Sequence, residues 1–148
     1  MSFNQRVRIT IPILWLGFVL SISFMEAWLK FQAEGVTQDI GLSIGRLVFG
    51  VLNKVELFFM VVLLSVSLKK GGFKINKTFR NILIFLLMLL LIQTFYLLPV
   101  LEKRTLMIIN GGIPPASYFH LYYVFSEILK VILLSIFSHR MLISYPKL

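Results

Sequence analysis

Apolar residues run along the chain in four long blocks separated by short polar stretches. The third block is the cleanest, with 21 residues from Asn81 to Leu101 that carry no charge between Arg80 and Glu102. The first runs from Ile9 to about Trp28. The second runs from about Ser43 to Leu68; its latter half is uncharged and its earlier half is studded with Arg46, Asn53, Lys54 and Glu56. The fourth, from about Tyr118 to Ser138, carries His120, Glu127 and Lys130. A bilayer core about 30 Å thick is crossed by about 20 predominantly apolar residues in helical form. Lipid offers no partner to open backbone groups, so each block predicts a helix. Strands of a barrel would instead alternate in shorter segments. The expected fold class is all-α, a transmembrane four-helix bundle. It is expected to form a single domain over residues 1–148, with spans at about 9–28, 43–68, 81–101 and 118–138.

Composition supports this and narrows it. The chain is 58% hydrophobic and 14% charged, with a mean hydropathy of +0.89. Soluble domains average about 45–50% apolar and about 25% charged residues. A soluble chain of this length could not hide so much apolar surface, and a disordered one would not contain it. The absence of Cys excludes disulfides, thiolate chemistry and Cys-based metal sites. The first block leads into Met25-Glu26-Ala27-Trp28 rather than a small-x-small cleavage site, so it is expected to stay as a span.

A net charge of +9 would suggest nucleic acid as the partner of a soluble protein. Here the surplus sorts by side. The N-terminal tail, the second loop (Lys69, Lys70, Lys74, Lys77, Arg80) and the C-terminal tail hold nine positive charges, against three (Lys30, Lys103, Arg104) in the first and third loops. Positive-inside bias then places both termini in the cytoplasm and accounts for the basic surplus without a nucleic-acid partner. The expected partners are the lipid bilayer with its anionic headgroups, a small or lipid-like ligand, and a second copy or another subunit of a membrane complex. Lys69 to Lys77 reads as a short turn. The third loop, Glu102 to Ser117, contains Asn110-Gly111-Gly112 and Pro114-Pro115, after which the fourth span should open. Leu106 to Ile109 reads as a segment on the outer membrane surface. Gly41-x3-Gly45 and Gly50 mark close helix approach. Trp28 and Tyr118 suit an outer aromatic belt and Tyr145 an inner one.

An ionisable group inside a span costs about 2.5–3.5 kcal/mol on insertion scales, so each needs a reason. Glu26, Arg46, Lys54, Glu56, Glu127 and Lys130 are three acids and three bases at a similar level towards the outer half, with Lys130 nearer the middle. On a helix, Asn53 lies about 20° and Glu56 about 80° from Arg46, giving one stripe. On the fourth span His120, Tyr123, Glu127 and Lys130 form a second stripe. With Gln93 these residues predict a polar, charge-balanced pocket lined by Glu26, Arg46, Asn53, Glu56, Gln93, His120, Tyr123, Glu127 and Lys130.

Two readings of the pocket stay open. In one, the charges pair across helices and only fix how the helices dock, as in a structural or assembly subunit. In the other, the pocket binds a small or lipid-like ligand or relays protons or ions. A membrane enzyme is a third class, with His120 as an acid or base near neutrality. No metal is expected, because bundle di-metal sites use Glu-x-x-His pairs on two helices and none occurs here. No cofactor is expected either: His120 and His139 stand about 28 Å apart along one helix and cannot share a haem iron.

The stretch Met25 to Ala33, then Gly35-Val36-Thr37 and Gly45-Arg46-Leu47-Val48-Phe49-x3-Asn53-Lys54-Val55-Glu56, resembles small four-span bacterial membrane proteins of unknown function. So do Leu97-Leu98-Pro99-x2-Glu102 and Pro114-Pro115-x4-His120. That resemblance covers most of the chain and implies the four-span fold without an activity. Asn53-Lys54-Val55-Glu56 is also similar to the second-span stripe of the eicosanoid and glutathione metabolism membrane proteins, which would imply a membrane enzyme. Arg46 precedes Asn53 by a longer spacing than in that family.

Overall fold

The computed structural model describes residues 2–68 and 77–144. The turn expected at Lys69 to Asn76, and the tail with Tyr145 and Lys147, lie outside the described residues. Four helices dominate: α1 (Phe3–Gln32), α2 (Gln38–Leu68), α3 (Lys77–Ile109) and α4 (Phe119–Ser144). All four are long and apolar enough to cross a membrane, and there is no strand among the described residues. The protein is therefore an all-α, multi-pass membrane protein.

The helices run longer than the apolar blocks, for local reasons. α1 opens on a capping box in which the Ser2 amide donates to Gln5 Oε1 at 2.6 Å and the Gln5 amide donates to Ser2 Oγ at 3.4 Å. α3 does not stop at Leu101 but carries on through Glu102, Lys103 and Arg104, whose side chains reach outward. The Leu106–Ile109 segment is thus the end of this helix and not a separate surface element. The helix finishes where Gly111 takes φ +78° and the Gly112 amide donates to the Met107 carbonyl at 2.8 Å, a turn that needs a residue without a side chain. Arg104 Nη2 donates to the Pro115 carbonyl at 2.6 Å and ties down the connection to α4.

Two helices change gauge midway. α1 passes through a π-helical turn at Leu20–Glu26 and ends in a 3-10 turn at Lys30–Gln32. α3 has a π-helical turn at Gln93–Leu97, just before Pro99. Proline has no N–H to offer the Phe95 carbonyl, so the hydrogen-bond ladder has to shift there.

The apolar core fills the half of the bundle nearer the chain termini, with Trp15, Val19, Met60, Leu63, Leu86, Leu90, Leu134 and Phe137 buried. Phe79 and Phe137 meet edge to face at 5.5 Å. Arg8 is buried at this end, where its Nη2 donates to the Val66 carbonyl at 2.7 Å. Val66 lies in the last turn of α2, where carbonyls lack helical partners and a cation is favoured. Large apolar side chains such as Phe58, Val61, Phe95 and Phe125 face outward, as lipid contact demands.

Candidate functional site

Near the midpoints of the helices, the polar stripes of α2 and α4 meet. Tyr123, Glu127 and Lys130 recur at helical spacing on α4, and Asn53 and Glu56 do the same on α2, so each set shares one inward face. Glu56, Glu127 and Lys130 are almost wholly buried, at 0%, 1% and 0% exposure. The Lys130 ammonium bridges the two carboxylates, bonding Glu56 Oε1 and lying 2.8 Å from Glu127 Oε1.

The other helices complete this shell. Trp15 Nε1 of α1 donates to Glu56 Oε1 at 2.8 Å. Gln93 Nε2, at the start of the α3 π turn, donates to Glu127 Oε1 at 2.7 Å and to Ser126 Oγ at 2.6 Å. Ser23, in the α1 π turn, donates to Glu127 Oε2 at 2.9 Å. Asn53 Nδ2 donates to Thr94 Oγ1 at 2.9 Å, and Thr94 in turn donates to the Leu90 carbonyl. Two buried oxygens, Glu56 Oε2 and Gln93 Oε1, have no partner. Both π turns therefore deliver a polar side chain to the same cluster.

Above the cluster, towards the loops joining α1 to α2 and α3 to α4, lies an open cavity of about 800 Å³. Its walls are mostly apolar: Phe24, Trp28, Leu47, Phe49, Val51, Leu98 and Leu101 among others. Glu127, Ser23 and Tyr123 join it to the cluster. Lys30, Arg46, Lys54, Glu102, Thr105 and His120 are its other polar lining groups. Phe49 and Tyr123 pack edge to face at 5.6 Å.

Of the residues expected to share one pocket, the structure makes two groups. Arg46, His120, Tyr123 and Glu127 line the cavity, whereas Asn53, Glu56, Gln93 and Lys130 lie in the buried layer. Arg46 pairs outside the core with exposed Glu102 at 3.0 Å, because the extended α3 brings that carboxylate alongside. Glu26 turns back to Lys30 one turn later, at 3.2 Å, rather than to the cluster. His120 is exposed. Lys54 is exposed too and belongs to no ion pair among the described residues. Among the same residues, no three His, Asp or Glu side chains gather as metal ligands.

Trp15, Ser23, Thr94 and Ser126 were not expected at the site. Trp15 did leave a signal: it stands mid-span, away from the interfacial belts where Trp concentrates, and a buried indole N–H needs an acceptor. The three hydroxyls leave none, since Ser and Thr are ordinary inside spans. The Gly41 and Gly45 spacing seats the end of α1: the Phe31 ring lies over Gly41, and Lys30 Nζ would stand 3.0 Å from a Cβ on Gly45. Gly50 instead opens on the cavity, where an added Cβ meets nothing within 4 Å.

No protein-family model matches this sequence, and no curated protein or solved structure matches it. Function is accordingly read from the geometry of this chain.

Proposed function

We propose that this membrane protein binds an amphiphilic, lipid-like ligand with an anionic head in the cavity at the loop end of the bundle. The observation that carries the reading is the cavity itself. Its volume suits a ligand of drug or lipid size, its walls are apolar, and a few polar groups converge on it. The sign of the head follows from Lys54. Lys30 and Arg46 already have carboxylate partners, while Lys54 brings an uncompensated positive charge to the same wall. A charge within a span calls for a partner, and an anion is the partner that fits.

The termini are assigned to the cytoplasm, which the nine-to-three division of positive charge supports, and residence in a bacterial inner membrane is what the resemblance to small bacterial four-span proteins implies. The cavity then opens towards the outside.

Gly50→Trp supplies the test, because Gly50 lines the cavity and a Cβ placed there meets nothing within 4 Å. Thermal unfolding of the purified chain in an ester-free detergent is followed with oleate, with phosphatidylglycerol and with zwitterionic phosphatidylcholine. The expected result is stabilisation by the two anionic amphiphiles, abolished in Gly50→Trp and weakened in Lys54→Gln, with the ligand-free melting temperature of Gly50→Trp near that of wild type. Equal stabilisation of wild type and Gly50→Trp overturns the reading, as does no stabilisation by either anion. A purely structural role for the charges gives the second outcome.

A further inference from the structure

The buried cluster has an odd count of charge. One ammonium, Lys130, faces two carboxylates, Glu56 and Glu127, and all three are almost wholly buried. With every group in its ordinary ionised form the trio carries one net negative charge in the least solvated part of the protein. An isolated buried charge is among the most costly things a protein can hold. The neighbours supply nothing to cancel it. Helices α1 and α3 offer only neutral donors, Trp15, Ser23 and Gln93. The titratable groups facing the trio are confined to α2 (Glu56 itself) and α4 (Tyr123, Glu127 and Lys130), and Tyr123 adds no positive charge. Arg8 sits near the start of α1, at the end of the bundle that holds the termini, bonded to the last turn of α2, and Lys54 points away to the cavity and the exterior.

A second observation lies in the hydrogen bonds. Glu56 Oε2 is buried and without a partner although its sister oxygen takes two donors, from Lys130 and Trp15. Gln93 Oε1 is also buried and unpartnered, and it belongs to the amide whose nitrogen holds Glu127. The cluster thus has two spare acceptors and one positive charge too few.

We propose that the trio is a proton-binding site, holding one exchangeable proton shared between Glu56 and Glu127 in addition to those on Lys130. Taking up the proton converts the cluster from a net charge of −1 to neutrality, and the unpartnered Glu56 Oε2 is a free oxygen on which it can reside. Like charges competing for one cation share a proton in the same way in other buried carboxylate pairs. Glu127 lines the cavity, so the proton enters and leaves from that side. This site is independent of whether the cavity takes an amphiphile.

Infrared spectroscopy of the full chain in an ester-free detergent at neutral pH tests it. Only the cluster should contribute a neutral carboxyl stretch, because Glu26 and Glu102 are in ion pairs and Glu34 and Asp39 are exposed. Wild type is expected to show that band, moved to lower frequency in D2O. Either Glu56→Gln or Glu127→Gln should abolish it, since each leaves one carboxylate to one ammonium. Both changes are isosteric with the protonated acid, and either variant alone decides if the other does not fold. A wild type without the band, or a band that survives in either variant, overturns the proposal.

Discussion

Lys130 bonds two carboxylates at once, so losing one carboxylate leaves it a counter-charge, whereas losing the ammonium leaves two buried acids with neutral donors only. The consequences are unequal. Lys130→Met should destabilise the protein by about 3–5 kcal/mol, the usual cost of breaking a buried pair from one side. Glu56→Gln should cost about 1 kcal/mol or less, because the amide keeps the shape of the carboxyl and Lys130 keeps Glu127. Reversible unfolding in mixed micelles separates the two, and equal losses would mean that Lys130 depends on Glu56 alone. Trp15→Phe keeps most of the packing but removes the N–H that Glu56 accepts. It should cost about 1–3 kcal/mol, and less in a Glu56→Gln background, where the acceptor is uncharged.

Glycines of one helix that look alike along the chain differ in what stands over them. Gly50→Ala should stabilise α2 by up to about 1 kcal/mol, since the added methyl group meets open space and alanine is the better helix former. Gly41→Ala should not, because the Phe31 ring would have to swing off the helix and lose its seat. Thermal melts of the two variants check this, and an equal gain in both would mean that Phe31 contributes nothing there. The four helices were legible in the sequence because lipid forces long, predominantly apolar runs. The stripes on α2 and α4 were legible because helical phase places Asn53 with Glu56, and Tyr123 with Glu127 and Lys130. Helix ends were not, since Glu102, Lys103 and Arg104 interrupt hydropathy without interrupting backbone hydrogen bonding. Partners were the least legible. Phase puts Lys30 one turn from Glu26 on the same face, but it does not say that Glu102 would reach Arg46 from another helix. The π turns escaped as well: only Pro99 hints at the one on α3, and nothing in Leu20–Glu26 announces the other.

Across the whole molecule, charge is divided by end. All six acids lie from the helix midpoints towards the loop end, whereas Arg6, Arg8, Lys77, Arg80 and Arg140 gather at the end of the termini. The chain has no cysteine, so single-cysteine labelling is clean. In intact cells an impermeant maleimide should react with Asn110→Cys and spare Lys77→Cys, and the reverse pattern would invert the proposed orientation. The position of the buried trio near the midpoints of the helices has an electrical consequence. A charge that travels from the loop end down the cavity to Glu127 crosses roughly half of the membrane voltage, worth about 1 kcal/mol per unit charge at 100 mV. The proton affinity of the site should then change roughly fivefold when such a potential is imposed on proteoliposomes. The cavity would in that way make the protein responsive to the energised state of its membrane, without any helix having to move.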